Sequence, residues 1–68
     1  MAVVKVIEII AQSEKGWEEA VQAAVDEASK TVRNIQSVYV KEFEAKVENN
    51  TVTVYRVTTK ISFLIERK

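Results

Sequence analysis

Side chains alternate along TVTVYRVTTKISFLIERK. Tyr55, Val57, Thr59, Ile61, Phe63 and Ile65 fall on one parity, and Arg56, Thr58, Lys60, Ser62 and Glu66 on the other. A period of two over this length predicts one long strand with an apolar and a polar face. Val3 to Ile10 is also rich in Val and Ile, but both parities are apolar: Val4, Val6 and Ile10 on one, Val3, Ile7 and Ile9 on the other. A strand of that kind is covered on both sides. Between the two, the period changes to three and four. Trp17, Ala20, Val21, Ala24, Val25, Ala28 and Val32 make one stripe, which predicts an amphipathic helix over Glu14 to Arg33. Ser13 is the expected N-cap and Asn34 the expected residue just past the end. Acids cluster early in this helix and bases late, in accord with the helix dipole. Trp17 is expected as a core anchor.

IQSVYVKEFEAKVE then predicts another strand whose apolar parity switches. Val38 and Val40 lie on one parity, and Phe43, Ala45 and Val47 on the other. A bulge near Lys41–Glu42 reconciles them. Asn49-Asn50 suits a two-residue hairpin turn, because Asn tolerates positive φ. The order is β-α-β-β, of class α+β. Its lengths do not match. The helix spans about 30 Å at 1.5 Å per residue, whereas a strand from Val52 to Glu66 spans about 50 Å at 3.4 Å per residue. An overhanging apolar strand is an aggregation hazard unless another chain covers it.

Composition sharpens that expectation. The 68 residues, 1–68, make one domain with a small core. There is no Cys and no His, so a disulfide or a His/Cys metal site cannot staple it. Oligomerisation is left as the staple. Ten acidic and ten basic residues cancel, so there is no basic footprint for nucleic acid. The apolar N-terminal run is interrupted by Lys5 and Glu8 and reads as a strand rather than a signal or membrane span. The expected location is the cytoplasm. Catalysis finds no support: the usual general bases and thiols are missing, and Ser13, Ser29, Ser37 and Ser62 have no evident activating partner. Glu42, Glu44 and Glu48 share a parity on the second strand. They read either as a solvated face with Lys46 interleaved or as part of a calcium site completed by symmetry in an assembly. Arg56 has two readings as well, a ligand contact or an ion pair with Glu42 or Glu44.

Several strings resemble the dodecin family over essentially the whole chain. KVIEIIAQSEKGWEEAVQAAVDEASKTVRNI is similar to the family's first strand, Ser-containing turn and Ala-faced helix. TVRN resembles its helix end, and VYRVTTKISFLIE, with Tyr55, Ile61 and Phe63, its last strand. The resemblance implies a three-stranded antiparallel sheet curled around one helix, assembled as a hollow homododecamer. It implies a small-ligand binding and storage role, with flavin (riboflavin or FMN) held near two-fold axes between a stacking Trp and an edge-binding Gln. Those two positions fall on Ser37 and Arg56 here. Gln36 and Tyr39, beside Ser37, complete the candidate flavin set. Relatives that lack the Trp and carry Arg after the Tyr are associated with calcium, which makes Glu42 and Glu44 the candidate metal residues. A cation-binding or purely structural dodecamer is therefore the second reading.

Overall fold

The long last strand is the centre of the sheet. The computed structural model describes residues 2–65 and arranges them as β1 (Val3–Ser13), α1 (Trp17–Ser29), β2 (Ile35–Glu48) and β3 (Thr51–Ile65). The strand order is β1-β3-β2, all antiparallel. Glu66, assigned above to the polar face of the last strand, lies outside the described residues. β3 takes the central place because it is long enough to pair along β1 and β2 at once. Its ladder with β1 runs from Val3↔Ile65 to Ser13↔Tyr55, and its ladder with β2 from Ile35↔Phe63 to Glu48↔Thr51.

One helix covers one face. Ala20, Ala24 and Ala28 are buried against the odd positions of β3, where Val57, Thr59 and Ile61 are fully buried. Small side chains on α1 let the helix backbone lie close to the sheet. Ile7, Ile9, Ala11, Ile35 and Val38 pack around that contact from the flanking strands. Thr59 is the one buried polar residue among those described. Its hydroxyl donates to the Ile9 carbonyl at 2.7 Å, so burial leaves it satisfied and ties β3 to β1.

The helix is shorter at both ends than its stripe predicts. Ser13 does not cap it. Ser13 remains in β1 opposite Tyr55, and its Oγ accepts the Lys15 N–H at 2.9 Å. Ladder pairing outcompetes the cap there, and α1 starts after Gly16, whose carbonyl accepts from Ala20 N. At the other end the backbone tightens, with Thr31 N and Val32 N both donating to the Ala28 carbonyl. The last turn of α1 carries no base; Lys30 is the C-cap. Asn34 does adopt the left-handed conformation, φ 61°. It serves the entry to β2 rather than the helix end, and its carbonyl accepts from Leu64 N at 3.1 Å. Trp17 is not enclosed. It meets Phe43 and Tyr55 edge-on, at 5.2 and 5.0 Å between centroids, with 36% of its surface exposed.

The length mismatch is therefore greater than the stripe suggests. Thirteen helical residues span about 20 Å, and the molecule extends 55 × 19 × 13 Å. Beyond α1 the β2–β3 hairpin overhangs, leaving Phe43, Val47 and Val52 exposed. Its tip is the Asn49-Asn50 turn, with φ 52° and 63°. Positive φ at both central residues is the type I′ pattern that matches strand twist. Asn50→Val is expected to lower stability by about 1–2 kcal/mol, the cost of a β-branched residue in the left-handed region. Asn50→Gly is expected to raise it slightly. Thermal melts of the two variants at one protein concentration check this, and equal melting temperatures would contradict it.

Candidate ligand-binding face

The sheet face opposite α1 carries the candidate residues. Odd positions of β3 face the helix, so Arg56, Thr58, Lys60 and Ser62 face outward, and antiparallel partners share a face. The two ladders then define rows across all three strands: Val6–Ser62–Ser37, Glu8–Lys60–Tyr39, Ile10–Thr58–Glu42 and Gln12–Arg56–Glu44. A register shift between Val40 and Glu42 makes this possible. It is the bulge expected at Lys41–Glu42. Without the extra residue, Glu42 and Glu44 would turn to the helix side and could not share a face with Ser37 and Tyr39.

The rows differ chemically. Val4, Val6 and Ile10 are exposed on this face, so the second parity of β1 is apolar with no layer over it in the chain itself. Ser37 Oγ and Ser62 Oγ hydrogen-bond to one another, closing a small polar row. Tyr39 is 63% exposed, the large aromatic surface next to Ser37. Lys41 Nζ reaches Glu8 Oε2 at 3.8 Å across the face. Gln36 is set apart by a second register shift between Ile35 and Ser37, and its Nε2 donates to the Asn34 carbonyl at 3.2 Å.

Arg56 is the most constrained of the set. Its Nε–H and Nη2–H both donate to Gln12 Oε1, at 3.2 and 3.0 Å. Its Nη1 stands 3.8 Å from Glu44 Oε1. The ion-pair reading of Arg56 thus has a partner in Glu44, while Glu42 lies opposite Thr58. Gln12, Glu44, Ala45, Lys46, Val54 and Arg56 line a depression of about 350 Å³. Gln12 was missed by sequence reasoning. It stands 44 positions from Arg56, and only the placement of β1 beside β3 makes them neighbours.

Ser37 and Arg56 are not brought together within one chain. Ser37 pairs with Ser62, six positions from Arg56 along β3, or about 20 Å at 3.4 Å per residue. Among the described residues no group of three or more Asp, Glu, His or Cys side chains is placed to hold a metal ion. Among them, too, no helix is long and apolar enough to cross a membrane.

The family model that describes dodecins matches residues 3–66. The chain belongs to the dodecin family. A dodecin from Thermus thermophilus is 36% identical over 64 residues, which are 94% of this chain and 93% of that one. The fold is similar to a crystal structure of a Thermus thermophilus protein, with a TM-score of 0.93 at 34% identity and full coverage of both chains. It is similar also to the crystal structure of calcium dodecin from Mycobacterium tuberculosis, with a TM-score of 0.80 at 33% identity, covering 97% of this chain and 94% of that one. Identity does not separate these two, but the backbone lies nearer the Thermus protein. Dodecins are multimeric small-ligand binders.

Proposed function

We propose that this chain is a cytoplasmic dodecin that binds and stores flavin, riboflavin or FMN, as a hollow homododecamer, with residues 1–68 acting as one dodecin-like domain. The observation that carries the reading is the open sheet face, where exposed Val4, Val6 and Ile10 lie beside the Ser37 and Arg56 rows. An apolar surface of this kind calls for cover, and neighbouring copies supply it. The overhanging hairpin and the absence of Cys and His support the same assembly. Because Ser37 and Arg56 lie about 20 Å apart along the strand direction, a ligand that meets both takes them from two subunits. Tyr39, one row from Ser37, offers the aromatic surface that a planar ring system needs.

A second reading follows from Glu42 and Glu44, which project from adjacent rows of the same face. In a symmetric assembly such pairs multiply and could hold calcium through oxygen ligands. The Mycobacterium tuberculosis relative is a calcium dodecin. Arg56 beside Glu44 weighs against a cation there, so flavin is the leading reading.

The test is equilibrium dialysis of the purified protein against riboflavin, FMN and calcium, with native mass measured alongside. The expected result is micromolar or tighter flavin binding by a dodecamer. An intact dodecamer that takes calcium and no flavin would replace the first reading with the second. An intact dodecamer that takes neither would leave the structural role alone.

A further inference from the structure

We infer that the end of the β2–β3 hairpin is a self-contact of its own, ordered by a second copy of the chain seated on its helix side, so that the hairpin end and the assembly form in one step. The inference rests on the assembly in the reading above and goes beyond it, because this surface lies on the opposite side of the sheet from Ser37 and Arg56. β1 leaves the sheet at the Ser13↔Tyr55 pair, and Ala45 faces Tyr55 from β2. Past that row, among the described residues, 46–54 form a ribbon of two strands. Such a ribbon is marginal in water unless a layer packs on it. α1 does not supply the layer, since its first residue, Trp17, stops at Phe43 and Tyr55. The ribbon nevertheless has a built apolar side. Phe43 pairs with Val57, Ala45 with Tyr55 and Val47 with Val52, which sets all of them on the side of α1. The register shift between Lys46 and Val47 brings Val52 there; an unshifted ladder would put Thr53 opposite Val47 and turn Val52 away. Phe43, Val47 and Val52 are 60%, 59% and 43% exposed. The charges lie on the other side, where Lys46 Nζ and Glu48 Oε2 pair at 3.6 Å.

Size, charge and permanence select the occupant. A stable interface takes about 800 Å² from each partner, or about 15% of the 5310 Å² of this chain. Residues 43–55 are thirteen in number, and ten of them are exposed. That extent suits a protein rather than a small molecule. Phe43, Ala45, Val47 and Val52 carry no charge, so a partner buries no unpaired ion on this side. Ten acidic and ten basic residues cancel, so like copies approach without net repulsion. The ribbon needs cover whenever the chain is folded, and a second copy is the partner present in fixed proportion to it. The geometry of closure agrees. One self-contact alone gives a dimer, a ring or a filament, whereas two different contacts on opposite sides of one sheet let copies close into a shell.

The experiment measures amide hydrogen exchange beside native mass on the full chain. In the wild-type assembly the ladder amides within 46–54 are expected to be protected. Val47→Glu sets a charge on the apolar side of the ribbon. It is expected to lower native mass and to speed exchange within 46–54 by about tenfold or more, while 57–61, under α1, changes by about twofold at most. Val47→Thr keeps a β-branched strand former and is expected to act in the same direction to a smaller extent, which separates loss of the contact from loss of the strand. Val6→Ser, on the open face, is expected to lower native mass with 46–54 still protected. A Val47→Glu assembly of unchanged mass with 46–54 still protected would overturn the inference. So would lower mass with 46–54 still protected, since the hairpin end would then form without its partner. A wild-type assembly whose 46–54 amides exchange freely would overturn it too and leave the assembly reading standing. A wild type that stays monomeric would overturn both.

Discussion

Ile61→Ala is expected to cost about 2–5 kcal/mol of stability, the range for deleting a buried aliphatic side chain and leaving a cavity. Ile61 is fully buried in the central strand. Its neighbours in the ladders are Ile7 and Val38, and Ala24 and Ala28 of α1 share its core cluster. Relaxation cannot fill the space easily. The flanking positions are pinned by pairing on both edges of β3, and alanines on the helix have no reach. Stability of about 0.05–0.15 kcal/mol per residue gives a chain of this length only about 3–10 kcal/mol to lose. The loss therefore approaches the whole margin of an isolated chain. Urea melts at two protein concentrations measure it. In wild type the midpoint should rise with concentration if assembly contributes. In Ile61→Ala it should fall at both. Val6→Ala, on the open face, should change the melt of the chain little except through its concentration dependence. A loss under about 1 kcal/mol for Ile61→Ala would mean that the α1–β3 contact is not the core of the fold.

The burial of Ile61, Val57 and Thr59 was legible from parity alone, and so were the Asn49-Asn50 turn and the bulge at Lys41. Each of these is a local matter, decided by side-chain period or backbone φ. The helix ends were less so. Ser13 has the chemistry of a cap, yet pairing with Tyr55 gives its backbone a partner that a cap would forfeit. The stripe ran on through Val32, but a stripe marks a face and not the point where backbone bonding changes. Strand order was not legible, because β1 and β2 are both apolar enough to serve at the edge or the centre. That gap hid one row of the open face. Gln12, Arg56 and Glu44 come from three strands and form a row only in the order β1-β3-β2. The separation of Ser37 from Arg56 was hidden for the same reason, since it is measured along a ladder whose register the sequence does not state.

Ser37→Trp combined with Arg56→Gln is expected to tighten riboflavin binding by about a hundredfold. Most of the gain comes from position 37. Aromatic contacts contribute about 0.5–1.5 kcal/mol each beyond area burial. Two of them, one from each side of a symmetric pocket, give up to about 3 kcal/mol, which is roughly a hundredfold in affinity. The surface can accept the change. Ser37 is exposed, and its row continues into Ser62 and Val6, which are too small to block an indole lying over them. The Ser37–Ser62 hydrogen bond is lost, but it is exposed and contributes little. Arg56→Gln frees Gln12 and Glu44 from their partner, and the new amide offers a donor and an acceptor on one side chain. That substitution alone is expected to change riboflavin affinity by only a few-fold, the worth of one exposed hydrogen bond. Ser37→Trp alone should therefore give most of the hundredfold. Dialysis of the two single variants and the double variant, with native mass checked for each, separates the contributions. If Ser37→Trp leaves affinity unchanged in an intact assembly, position 37 does not face the ligand, and the pocket carried over from the family is misplaced on this sheet.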